Sequence, residues 1–203
     1  MAGSAPSLTE GERWARELLD TLRARRFTPT AWWDFLAESF ARARRTRARR
    51  PGVVAQSRRW CAAGFAAALP LGPVPAAWAA VWWAMIDWHL GMVETADGRP
   101  RRLAAADALT LTRLWSAPMV RRHPSVPLVA AVMATDLLDG PLARRAGPTR
   151  FGRDFDGAAD AALFLALIGA AAERGAVAPW ILAMERGRQV IAGRCALHVR
   201  TRR

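Results

Sequence analysis

Two pairs of aspartates set in apolar sequence limit what this chain can fold into. Asp136 and Asp139 stand in Asp-Leu-Leu-Asp-Gly-Pro-Leu-Ala-Arg, residues 136–144. Asp156 and Asp160 stand in Gly-Arg-Asp-Phe-Asp-Gly-Ala-Ala-Asp, residues 152–160. Their spacings put each pair on one face of its segment if both segments are helical. Apolar runs flank them, 128–133 before and 161–168 after. Carboxylates in apolar helices are costly unless paired or metal-bound. The spacing therefore predicts two helices converging on a shared cation, and an all-oxygen ligand set suits Mg²⁺ or Mn²⁺.

The rest of the chain supplies a membrane setting for those helices. From Trp60 onward it reads as apolar helical segments: 60–69, 76–93, 108–120, 127–138, 157–172 and 177–197. The expected fold class is all-α, a polytopic membrane bundle of about six segments. Several segments are shorter than the roughly 20 residues of a typical span. Residues 1–57 are polar and are expected to be cytosolic or juxtamembrane amphipathic helices. The first carries Trp14, Leu18 and Leu22. The second is capped by Thr30 and carries Trp32, Trp33, Leu36 and Phe40. Packing on a membrane surface and packing on the enzyme core are both open for these two helices. Residues 58–95 form a membrane hairpin, and 96–203 the core. The N-terminus shows no cleavable signal pattern.

A net charge of +13 invites a nucleic-acid reading, which the long apolar segments oppose. All 30 basic residues are arginine, and Lys, Asn and Tyr are missing. This bias fits a GC-rich bacterial genome. The placement of the arginines is more telling. With the N-terminus inside and six crossings, the inner regions hold the arginines of 42–59, 99–102, 144–153 and 200–203. The outer loops hold Arg121, Arg122 and Arg174. That asymmetry follows the positive-inside rule and puts both aspartate pairs on the cytoplasmic side of a bacterial inner membrane. Cys61 and Cys195 lie far apart in apolar stretches and read as inert buried thiols.

The aspartate segments resemble the signature of the CDP-alcohol phosphatidyltransferases, D-x-x-D-G-x-x-A-R followed by G-x-x-x-D-x-x-x-D. All eight fixed positions are present, and the gap, 145–151, is one residue shorter than usual. Asp107, Thr110 and Arg113 resemble the family's N-x-x-T-x-x-R, with Asp in place of Asn. The resemblance implies a membrane enzyme that moves a phosphatidyl-type group from a CDP-linked lipid, CDP-diacylglycerol above all, to an acceptor alcohol with release of CMP. It further implies two metal ions, Mg²⁺ or Mn²⁺, held by Asp136, Asp139, Asp156 and Asp160, with Asp160 as the base for the acceptor hydroxyl. Thr110, Arg113, Gly140, Ala143, Arg144 and Gly152 would hold the nucleotide and its pyrophosphate. Asp154 is out of register and is expected to face solvent.

Acceptor-site candidates are Arg188 and Arg194, the first in Gly187-Arg-Gln189, which resembles a family G-R-E, together with Asp87 and His89. Interfacial roles are the alternative for all four. The run 147–152 is a little like members that use a phosphorylated inositol; glycerol 3-phosphate and a lipid acceptor are also open. The expected partners are the membrane, a CDP-linked lipid and a small or lipid alcohol, with no nucleic acid. Fewer segments follow the motif than in the family. Either the 58–95 hairpin fills the missing places or a second copy of the chain does, and a divergent, non-catalytic member is the rival reading.

Overall fold

The computed structural model describes residues 8–95, 97–147, 149–178, 180, 181, 184 and 187. Arg188, Arg194, Cys195 and most of the expected last segment lie outside the described residues. Those that are described form seven α-helices: α1 (Glu10–Ala24), α2 (Pro29–Arg49), α3 (Pro51–Ala68), α4 (Pro73–His89), α5 (Ala105–Arg122), α6 (Val126–Ala146) and α7 (Arg150–Glu173). No strand occurs among them beyond one isolated bridge, Glu94 to Pro100.

Local chemistry moves several helix starts from where apolarity alone put them. Thr28, not Thr30, caps α2; its hydroxyl accepts from Ala31 N, with Pro29 next in the chain. A proline in the first turn has no amide hydrogen to leave unbonded, so the helix starts before Thr30. For the same reason α3 starts at Pro51 and not Trp60, which takes Arg58 and Arg59 into the helix. Thr149 caps α7 by accepting from Gly152 N, so that helix begins at Arg150, seven residues before the apolar run. At the other motif, α6 continues through Pro141 to Ala146. All four aspartates therefore lie inside helices.

Loop contacts sort the helix ends into two groups. At one end, Arg50 donates to the carbonyls of Gly91 and Val93, and Gln56 exchanges hydrogen bonds with the backbone of Leu103 at 2.9 and 3.1 Å. Arg101 donates to Gly147 O, and Arg150 meets Glu94 at 2.8 Å. At the other end, Arg122 donates to Leu71 O, Arg174 donates to Arg122 O, and Arg121 pairs with Glu173. The arginine-rich loops and the arginine-poor loops thus collect at opposite ends of the bundle.

The core lies between α3, α4, α5 and α7. Val53, Val54, Cys61, Ile86 and Leu90 pack with Leu111, Leu114, Phe151, Phe155 and Ala159. Gly64 permits this approach: a Cβ there would sit 2.5 Å from the Trp115 ring. The α3–α4 hairpin thereby braces α5 and α7, while α6 packs chiefly against α5. The outer surface is apolar over long stretches, with Val74, Val81, Val126, Leu137, Leu138 and Phe164 exposed. Two helices, α6 at 21 residues and α7 at 24, are long and apolar enough to cross a membrane. The hairpin helices, of 18 and 17 residues, are shorter, and α5 carries Asp107, Arg113, Arg121 and Arg122.

Arginine contacts from α2 and α7 anchor the first two helices. Arg150 at the start of α7 reaches Thr9 Oγ1 at 3.0 Å and Glu12 at 3.1 Å. Arg42 lies over the Trp14 ring at 4.5 Å, and Arg47 pairs with Asp87 of α4. Trp33, Leu36 and Phe40 on α2 stay exposed.

Candidate active site

Two capping side chains fix where the site forms. Asp107 accepts from Ala104 N at 2.6 Å at the start of α5. The Thr149 hydroxyl lies 3.4 Å from Asp107 Oδ1, which ties the starts of α5 and α7 together. Gly152 sits against this pair: a Cβ would come within 3.0 Å of Asp107 Oδ1 and 3.1 Å of Thr149 Oγ1. Gly147, at φ +82, turns the chain from α6 into α7, a conformation that strains residues with a Cβ.

Between these elements lies a cleft of about 160 Å³. Its walls include Thr110, Asp139, Gly140, Ala143, Gly152 and Asp156, all named from the sequence. Asp107, Thr149, Gly147 and Arg153 join them. Of these, Asp107 was legible as the first position of the short motif with Thr110 and Arg113, and Thr149 as a residue type that caps helices. Arg144 is exposed and lies near Gly140 on the same helix face.

Three of the four motif carboxylates come together. One oxygen from each of Asp136, Asp139 and Asp156 lies within 4.8 Å of the others. Three hard oxygen ligands at that separation fit a small divalent cation, and Asp139, 9 % exposed, brings one of them to the cleft floor. Asp160 is outside this triad, with its side chain half-exposed, one turn further along α7. Asp154 lies beside Arg153 at 3.4 Å.

Arg113 stands at the centre. It is fully buried and donates to both Asp136 and Asp156. Its Nη2 lies 2.7 Å from Asp139 Oδ2 and its Nη1 3.6 Å from Asp160 Oδ1. The sequence placed Arg113 on the pyrophosphate side; here its guanidinium is surrounded by the carboxylates. Asp87 and His89 are elsewhere: Asp87 pairs with Arg47, and the His89 ring packs edge-on against Phe155, neither lining the cleft.

Residues 103–202 match the family model described as CDP-alcohol phosphatidyltransferase. The chain is a member of this family through that segment. Neither the curated proteins nor the solved structures yield a match to it. The family consists of integral membrane proteins that transfer phosphatidyl-type groups from CDP-alcohols and generally use divalent metals. The matched segment starts at Leu103, beside Asp107, and contains the cleft and all four aspartates.

Proposed function

We propose that the chain transfers the phosphatidyl group of CDP-diacylglycerol to an acceptor alcohol and releases CMP. The observation that carries this reading is the carboxylate triad, which opens into a cleft whose walls are made thin by Gly140, Ala143 and Gly152. Those small residues let a nucleotide approach the helix backbones, with Thr110 offering a hydroxyl to it. Asp136, Asp139 and Asp156 would hold the metal, and Asp160 is the outermost carboxylate of the quartet. When bound, Mg²⁺ or Mn²⁺ neutralises the pyrophosphate and the leaving phosphate, which is what phosphoryl transfer chiefly needs.

Asp160 is assigned as the base. It takes the proton of the acceptor hydroxyl; the oxygen then forms a bond to the β-phosphorus as the bond to the CMP oxygen breaks. Its exposure near the rim of the triad suits a group that must meet a second substrate. We further read the bundle as spanning a bacterial inner membrane about six times, with the arginine-rich end and the cleft facing the cytoplasm. The division into residues 1–57, 58–95 and 96–203 belongs to the same reading.

The test is a purified-protein assay with labelled CDP-diacylglycerol and a panel of alcohols: glycerol 3-phosphate, a phosphorylated inositol and a lipid alcohol. CMP release should require Mg²⁺ or Mn²⁺ and one of these acceptors. Failure to release CMP with every acceptor, in protein shown to be folded, would overturn the reading.

A further inference from the structure

We propose that Arg113 is the built-in counter-ion of the aspartate cluster, and that its guanidinium alternates there with divalent cations. This rests on the metal reading above and adds a competitor to it. Arg113 is 0 % exposed and faces four carboxylates from two other helices. Its Nε has no hydrogen-bond partner, so the side chain is held by its two terminal nitrogens and the carboxylates they meet. A charge buried this deeply is stable only while its partners stay charged and close. One guanidinium against four carboxylates leaves three formal negative charges, so the cluster still attracts cations.

Arg113 engages Asp136, Asp139 and Asp156, the three residues whose oxygens come within 4.8 Å of one another. A guanidinium lodged among these carboxylates and a cation coordinated by them cannot share that space. Arg113 must therefore withdraw when a cation is bound. Thr110, one turn earlier on the same helix, lines the cleft. Withdrawal in that direction brings the guanidinium toward the phosphates of a bound nucleotide, where it regains an anionic partner. Cation binding and nucleotide binding are then coupled, each favouring the other. Without nucleotide the arginine holds the cluster closed and the protein binds metal weakly.

The experiment is a Mn²⁺ titration followed by electron paramagnetic resonance on the purified full chain in detergent, with and without CDP. Wild type is compared with Arg113→Gln. Removing a competing buried charge should tighten Mn²⁺ binding by roughly tenfold or more. CDP should tighten it in wild type and have little effect in Arg113→Gln. The glutamine variant should also melt at a lower temperature without metal and recover on adding Mn²⁺. If it does not fold, Arg113→Lys decides, because its single ammonium reaches fewer of the carboxylates. Tighter Mn²⁺ binding by that variant supports the exchange. Equal or weaker binding by the deciding variant, with wild type binding Mn²⁺, overturns the exchange and leaves the metal site standing. No Mn²⁺ binding by any of the proteins overturns both.

Discussion

Replacing Arg150 by methionine should test how the first helices support the site. Arg150 joins three distant parts of the chain. Its Nη1 lies 2.8 Å from Glu94 Oε1 and 3.0 Å from Thr9 Oγ1, and its Nε lies 3.1 Å from Glu12 Oε1. The side chains of Arg150 and Glu94 are 13 % and 8 % exposed. Methionine fills much of the same volume but strands the Glu94 carboxylate. Glu94 then keeps Arg50 at 3.7 Å and the Thr9 hydroxyl at 3.3 Å. Removing one partner of a buried pair costs about 3–5 kcal/mol. The contacts that survive put Arg150→Met near the lower end, about 3 kcal/mol. Glu94→Gln removes the stranded charge, so the double variant should lose less than the two single losses combined, by about 1–3 kcal/mol. The assay is denaturant unfolding of the four proteins in one detergent, followed by tryptophan fluorescence. Single losses that add to within about 0.5 kcal/mol would refute a coupled buried network. Because Arg150 opens α7, the variant should also release CMP more slowly than wild type. Unchanged activity would show that α1 does not help to position that helix.

Further outcomes follow from the site and the loops. Gly152→Ala adds a Cβ 3.0 Å from Asp107 and 3.1 Å from Thr149, both fixed by capping bonds. Overpacking of about 1–3 kcal/mol less a helix-propensity gain of about 1 kcal/mol leaves a net loss of about 0–2 kcal/mol, so the melting temperature should fall by several degrees at most while KM for the CDP-lipid rises severalfold in steady-state assays. Asp160→Asn should cut turnover by roughly 10²-fold or more with CDP binding largely kept, whereas Asp136→Asn and Asp156→Asn should weaken Mn²⁺ and CDP-lipid binding together. Asp154→Asn should be mild, and a loss equal to that of Asp156→Asn would refute the register. A cysteine placed at Leu71 should react with an impermeant thiol reagent in intact cells while one at Arg101 is protected; the reverse pattern would invert the orientation.

The sequence carried the site further than it carried the bundle. Asp136, Asp139 and Asp156 were legible because helical spacing fixes the direction of carboxylates whatever the tertiary packing. Gly140, Ala143 and Gly152 followed from the same motif. Helix starts were less legible, because apolarity marks where a helix is buried and not where it begins. Thr28, Pro51 and Thr149 set those points through caps and prolines. The placement of the Arg113 side chain was out of reach. Nothing in a one-dimensional pattern says whether an arginine three residues after Thr110 points toward a ligand or into a ring of aspartates. The pairing of Arg47 with Asp87 was hidden for a similar reason, since its partners lie 40 residues apart.

The way α6 is seated has a consequence for traffic. Asp136 rides on a helix that packs chiefly against α5, and its carboxylate is 41 % exposed, as is that of Asp156. The outward side of α6 presents Met133, Leu137 and Leu138, within one turn of the aspartates. A substrate with two acyl tails need not leave its leaflet to reach such a place. The CDP-diacylglycerol proposed above would enter sideways, tails against the leucines and pyrophosphate toward the metal that the carboxylates would hold. Its search would then be confined to a plane, with the encounter rate set by how crowded that plane is with donor lipid, not by the volume of the cell.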